Sequence, residues 1–509
     1  MTSRPVWLIG LDAADLSRIE RLAACGDMPY LAEILGRGAR GRVSSVPTGL
    51  SAMIWPKWFE GGHTGSRYFS KQWNPDRMCL ERITATRGDP EPFWCDLDRR
   101  GLKVCVVDVP QAPKLPLRHG VAIQGWQVHD LFDRWSEPSG LWKELTRDHG
   151  APLLGPESYG RQTPASLLAL RRQLLAATRQ AGELVRGLMR RGPFDVFVMI
   201  LGGLHRGGHY LWDTSQVELR GANRDEVRLL ETALDEIYKA ADRAVGQLIE
   251  HAPAGARVLV FSLHGMESNN GWSERLQSFA GMLSDAGNRS ARATLLQSLR
   301  RRVPTGAMQR ALDFLPERLG NRVLEFTSAR MYDWQQTAWF VLPSDLAGFL
   351  RLNLLGREAR GIVSSGEQAN SVEDMLIETF SRIEDLDGRS IVATIERVND
   401  LVAGADRFRR YLPDLLLNWH PIKASDTAGL RLNGQEIARW PAGEPFDSGR
   451  SGNHATEGWF VAFGPGLSRR TDPALHDINA IVPSVYRWLG LEPPGRFVGK
   501  PLFSLIPSL

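Results

Sequence analysis

Thiols are scarce in this chain. Its 509 residues include four cysteines, Cys25, Cys79, Cys95 and Cys105, and no two stand in a Cys-x-x-Cys spacing. That argues against a thiolate zinc site, and a disulfide framework is not expected at this size. Long apolar runs are absent too. No stretch reaches the length of a membrane-spanning helix, and the run at Val6 is too short, and too soon followed by Asp12, to be a signal-peptide core. Net charge is only +4 and the arginines are dispersed, so the basic footprint of a nucleic-acid binder is missing. The one compact basic run, Arg300-Arg301-Arg302, reads as a solvated helix face. There are no internal repeats and no low-complexity linker. With 24% charged and 43% hydrophobic residues, the composition is that of a globular protein rather than a disordered one. The expectation is a soluble cytoplasmic protein with about two to four domains' worth of chain.

What the chain does have is short, nearly continuous apolar runs: Val6–Leu11, Val104–Val109, Val196–Leu201, Val258–Leu263, Leu415–Leu417 and Phe460–Phe463. Such runs suit strands covered on both faces. Between them apolar residues recur at helical steps over 16–37, 164–191 and 224–251. The alternation predicts an α/β fold with a doubly wound, largely parallel sheet flanked by helices. From 273 to 330 the chain is Arg-, Leu- and Ser-rich without strands, which predicts a helical cap inserted into the core. A small α+β insertion is expected near 347–406, with the core resuming at Pro413. The division expected is therefore 1–272 and 331–509 for the two parts of the core.

Chemistry gathers at the strand ends. Asp12 closes the first run; His205 and His209 follow the third; His264 follows the fourth; His454 precedes the last. Open α/β sheets bind ligands at the carboxyl ends of their strands, so these residues together read as a metal site. His205 and His209 are spaced to share one helical face and one metal. Alone that spacing is weak, and an isolated histidine is as readily a core or turn residue. Ser51 stands near the start of a helical run behind Pro47 and Gly49. It reads either as a plain N-cap or as a serine that a metal could activate to attack phosphorus.

With these residues placed, the chain resembles the alkaline phosphatase superfamily, in particular the type I phosphodiesterase/nucleotide pyrophosphatase branch. The resemblance rests on Gly10-Leu-Asp12, Leu50-Ser51 through Gly61, His205–Trp212, Phe261-Ser-Leu-His264-Gly, Asn353-Leu-Leu-Gly-Arg-Glu-Ala-Arg-Gly-Ile-Val, His454, Gly464-Pro-Gly-Leu and Asp477-Ile-Asn-Ala-Ile-Val-Pro-Ser-Val. It implies an alkaline phosphatase-like core and a two-metal site that works through a Ser-linked covalent intermediate. One metal would be held by His205, His209 and His454. The other would be held by Asp12, the nucleophile Ser51 and the positions of Leu263 and His264.

Two positions depart from the family pattern. Aspartate is usual where this chain has His205, and again where it has Leu263. Leucine cannot ligate, so the second site keeps Asp12, Ser51 and His264, with Asp15 or Glu267 as candidates to complete it. Three imidazoles favour zinc over harder cations. The expected cofactor is thus zinc, as one or two divalent ions, with manganese as the substitute. Ser51-Ala-Met-Ile-Trp55 lacks the proline and arginine of the sulfatase pattern, which excludes that branch. Arg450, Asn269 and Asn270 are candidates to contact a bound phosphoryl group.

The implied activity is metal-dependent hydrolysis of a small phosphate ester, a phosphodiester or nucleotide-like one. No nucleic-acid polymer or membrane is expected as partner, and homo-oligomerisation stays open. The alternatives are transfer of a phosphoryl-type group to a metabolite alcohol, and a non-catalytic binding relative that has lost its second metal site.

Overall fold

The computed structural model describes residues 4–44, 54–61, 71–82, 91–127, 134–155, 157, 160–216, 219, 221–283, 332–344, 346–401 and 409–502. Ser51, Arg300–Arg302 and most of the expected cap lie outside these residues. Within the cap range only the helix Trp272–Leu283 is described.

A nine-stranded sheet forms the centre. Its strands in chain order are β1 (Val6–Leu11), β2 (Ala39–Ser44), β3 (Val104–Val107), β4 (Val121–Gln124), β5 (Trp135–Glu137), β6 (Val196–Leu201), β7 (Arg257–Ser262), β8 (Glu457–Phe463) and β9 (Arg470–Asp477). In space they run β9-β2-β8-β7-β1-β6-β3-β4-β5. Only β5 and β8 run against the others. The sheet is mixed and mostly parallel, as the apolar runs predict.

β1 explains the layering. Val6 and Leu8 face one apolar layer, with Trp58, Phe93 and Tyr486; Trp7, Ile9 and Leu11 face the other, with Leu184 and Val245. Every residue of the strand is buried. Each such aliphatic side chain contributes roughly 1.5–3 kcal/mol on burial, so β1 has no register in which one face could meet water.

Several expectations need correction. The helical stretch 16–37 is two helices, Leu16–Ala24 and Pro29–Arg37, because Gly26 takes a positive φ and Pro29 starts the second helix. The stretch 224–251 likewise divides at Thr232. The run at Leu415 does not return to the core sheet. It is part of the strand Leu415–Trp419 in a separate four-stranded sheet with Trp339–Leu342, Gly348–Leu352 and Val392–Arg397. The helices Trp272–Leu283 and Glu367–Ser381 share an apolar cluster with that sheet. No helix among the described residues is long and apolar enough to cross a membrane.

Candidate metal centre

β7, β1 and β6 are adjacent and parallel, so their carboxyl ends share one edge. The ladder runs one residue beyond β1, where the Asp12 N–H donates to the Leu201 carbonyl at 3.1 Å. Asp12 therefore stands beside the start of the helix Gly203–Leu211, which carries His205 and His209. His264 follows β7 directly. β8 is antiparallel to β7, so the chain just before it returns to the same edge. There Gly452–Ala455 pairs with Gly265–Ser268 as a two-stranded ribbon, with His454 opposite Met266.

Cross-links hold these turns in place. Ser262 Oγ accepts from the Ala14 N–H at 3.0 Å and donates to the His264 carbonyl at 2.7 Å. The Trp459 indole donates to the Ala14 carbonyl at 3.0 Å. Helix and ribbon touch backbone to backbone: a Cβ on Gly452 would sit 2.2 Å from the Gly208 carbonyl oxygen. Gly208 and Gly452 thus allow the close approach of these two chain segments.

Three imidazoles converge. His205 Nε2 lies 2.8 Å from His454 Nε2 and 3.1 Å from His209 Nε2. Among the described residues these three form the compact ligand group, with donor atoms all within 4.8 Å of one another. His209 Nδ1 is 2.9 Å from the Gly452 carbonyl oxygen, so Nδ1 carries the hydrogen and Nε2 offers its lone pair. One proton on His205 Nε2 can satisfy only one of its two contacts. A divalent cation at the centre satisfies all three. A tetrahedral zinc with Zn–N near 2.0–2.1 Å separates its nitrogens by about 3.3 Å, close to the spacing here. The donor set fits the ion. His209 is fully buried while the His205 side chain keeps 26% exposure, so the centre opens past His205.

The remaining sequence candidates take varied places. Asp12 is buried; its Oδ1 accepts from the Trp55 indole at 3.0 Å and lies 3.4 Å from His264 Nε2, and its Oδ2 lies 3.5 Å from His205 Nδ1. His264 borders the triad, its ring centroid 4.5 Å from that of His454, with Nδ1 turned to the Gly265 carbonyl at 3.2 Å. Leu263 is fully buried in the apolar layer with Phe261. Asp15 caps the helix Leu16–Ala24 and Glu267 is exposed on the ribbon; neither joins the compact group. The Asn269 amide donates to the Arg450 carbonyl at 2.9 Å and accepts from the Gly271 N–H at 3.0 Å, while Asn270 accepts from the Trp272 N–H at 3.1 Å. Ser51 lies outside the described residues.

Sequence reasoning missed Glu157. It accepts from the Tyr210 hydroxyl at 2.8 Å and from Arg450 at 3.0 Å. Arg450, read from sequence as facing an anion, is buried and turned to this carboxylate. Glu157 lies in a Gly-Pro loop with no periodicity to mark it. Trp55 carries no charge that would mark it in the sequence as part of a metal site.

Burial and charge set the protonation states. Burial would raise the Asp12 carboxyl, but His205, His264 and the Trp55 indole together hold it below its ordinary value. Glu157 is likewise held down against burial, chiefly by Arg450. Burial lowers His205. His209 is pushed well down by burial and Arg450, and His454 by burial and the neighbouring imidazoles. Both are held toward the neutral form, the form in which an imidazole can ligate a metal.

No protein-family model matches the chain, and no curated protein does. Solved structures do. The chain is similar to the wild-type alkaline phosphatase PafA, with a TM-score of 0.55, 10% identity and 99% of each chain covered. A quadruple mutant of PafA matches at a TM-score of 0.51 and 12% identity, over 99% of this chain and 100% of that one. Phosphonoacetate hydrolase from Sinorhizobium meliloti 1021, in complex with phosphonoformate, matches at a TM-score of 0.48 and 13% identity, over 94% of this chain and 92% of that one. The likeness to PafA is one of fold: this chain has the alkaline phosphatase fold that the sequence resemblance implies.

Proposed function

We propose that the chain is a metal-dependent hydrolase of phosphate esters, acting on a phosphodiester or nucleotide-like substrate. The observation that carries this reading is the convergence of three imidazole Nε2 atoms at the carboxyl edge of a sheet with the alkaline phosphatase fold. That edge is where such sheets bind ligands, and three neutral nitrogens leave a tetrahedral zinc one open position. Zinc is the proposed ion because imidazole donors suit it.

His205, His209 and His454 would hold the cation, which supplies Lewis-acid polarisation of a phosphoryl oxygen. The chain's own part begins with position. The Gly452 carbonyl fixes the His209 tautomer, and the glycine contact keeps helix and ribbon in register. Ser51 is the proposed nucleophile: its Oγ bonds to phosphorus as the leaving alkoxide departs, and water then splits the phosphoserine ester. Connectivity supports this role, since Trp55, four residues on, contacts Asp12. None of the four cysteines is joined in a disulfide, which supports a cytoplasmic setting.

Leu263 favours a second reading. A fully buried leucine where the family carries a ligand suits a relative that has changed its reaction to group transfer, or lost it. Turnover of an aryl phosphodiester decides among these. Protein purified without chelator should release the aryl alcohol, lose that activity in chelator, and regain it with zinc or manganese. A product linked to an added acceptor alcohol would mark a transferase. Full metal content with no turnover across a diester and monoester panel would mark a binding protein.

A further inference from the structure

We infer that the centre holds one metal ion and that Asp12 orients His205 instead of ligating a second ion. This rests on the reading of the chain as a metal-dependent hydrolase. The starting point is the His205 ring, whose two nitrogens have different neighbours. Nε2 is turned to His209 and His454 at 3.1 and 2.8 Å, and Nδ1 lies 3.5 Å from Asp12 Oδ2. A neutral imidazole that ligates through Nε2 keeps its hydrogen on Nδ1. Metal-ligating histidines nearly always give that hydrogen to a carboxylate, a carbonyl or water, and this partner fixes tautomer and ring orientation. His209 uses the Gly452 carbonyl for this purpose. For His205 the group in place is Asp12.

The other oxygen of Asp12 is engaged too. Oδ1 accepts the Trp55 indole hydrogen at 3.0 Å, which pins the carboxylate plane, and it faces His264 Nε2 at 3.4 Å. Both oxygens of this buried residue are thus turned to groups of the chain. A second ion would find one carboxylate and one imidazole among the described residues, and beside them the apolar side chain of Leu263. Asp15 is a helix cap and Glu267 is exposed. The only compact ligand group among the described residues is the histidine triad.

The two departures from the family pattern then form one change. Histidine at 205 turns a charged ligand into a neutral one that needs an acceptor behind it. Leucine at 263 removes the reason for Asp12 to face a second ion. The same carboxylate moves from ligand to support.

The test is metal content and spectrum. Wild-type protein titrated with zinc and passed through a desalting column should carry one zinc per chain by mass spectrometry. Asp12→Asn should still carry one, with a dissociation constant about 10–100-fold weaker, the usual cost of losing such a support. Its cobalt(II) form, saturated with cobalt, should keep the visible absorption bands of wild type, because no ligand has changed. Trp55→Phe, which keeps the carboxylate but frees its plane, should weaken zinc by a smaller factor, and it serves as the test if Asp12→Asn does not fold. Two zinc ions in wild type and one in Asp12→Asn would overturn the inference while leaving the hydrolase reading intact. Altered cobalt bands, or unchanged zinc affinity in both variants, would also overturn it. Wild type that takes up no metal would overturn both readings.

Discussion

His209 and Gly452 are joined by a 2.9 Å contact between the imidazole Nδ1 and the backbone carbonyl oxygen. A carbonyl only accepts, so this contact decides which His209 nitrogen faces His205 and His454. The helix and the ribbon that carry the pair meet at Gly208 and Gly452 with no room for a side chain. The His209 ring is therefore aimed by a backbone contact.

His209→Ala removes the imidazole of the triad that a backbone carbonyl fixes. Bound zinc should fall at least about tenfold at a given free zinc concentration. The metal-free protein should lose about 2–5 kcal/mol, the usual cost of truncating a large buried side chain, because His209 is fully buried. Metal analysis and thermal melting in chelator check both halves; a variant with wild-type zinc content would show that the triad is not the metal site.

Stability of the metal-free protein should depend on pH in a stated direction. His209 and His454 are held well below the ordinary imidazole value in the folded chain. In the unfolded chain they take up protons as pH falls through about 6.5. The unfolded state then binds more protons than the folded one, so their contribution is present above that pH and is lost below it. Asp12 and Glu157, also held down, add a second loss below about pH 4. Melting temperature in chelator should decline from pH 7.5 to 5.5; a flat profile would mean that the imidazoles are solvated.

Glu157→Gln neutralises the carboxylate beside buried Arg450. Breaking a buried ion pair by changing one partner costs about 3–5 kcal/mol, and the retained Tyr210 contact should place this variant near the low end. Urea denaturation reads the difference. A change under about 1 kcal/mol would make the pair a solvated one.

Ser51→Ala distinguishes nucleophile from helix cap. Loss of a nucleophile removes turnover by several orders of magnitude and leaves zinc content unchanged. Loss of a cap costs about 0.5–2 kcal/mol and leaves turnover intact. Aryl diester turnover, zinc content and melting temperature together separate the two.

Much of the fold was legible in sequence where burial was complete. Val6–Leu11 and Val196–Leu201 match their strands end for end, because strands covered on both faces are apolar throughout. β2, β4, β5 and β9 are not among the predicted runs: Ala39-Arg-Gly-Arg-Val-Ser is half polar, β4 and β5 are only four and three residues long, and β9 is an exposed edge strand containing Pro473. The run at Leu415 is a strand, as its apolar character predicts, but it lies in the four-stranded sheet and not in the core sheet. An apolar run reports burial and says nothing of which sheet buries it. In the centre, the strand-end rule brought Asp12, His205, His209, His264 and His454 to one edge. It could not find Glu157, whose partner Arg450 is 293 residues away. Nor could it tell that Asp12 has Trp55 and His205 at its two oxygens, since ring orientation is a product of packing.

The reversal of β8 has a consequence in time. Because that strand runs against β7, the histidine of this edge comes just before the strand begins, late in the chain. The hydrogen bond from Trp459 to Ala14 closes a separation of 445 residues. A chain emerging from the ribosome presents Asp12, His205, His209 and His264 long before His454. At ordinary elongation rates the wait between His209 and His454 is roughly 10–50 s. For that interval the nascent protein owns two-thirds of a ligand set and cannot close it. If the triad is the metal site, capture of the ion would wait until the distant end of the chain has come home, and metal content would be a record of completed folding.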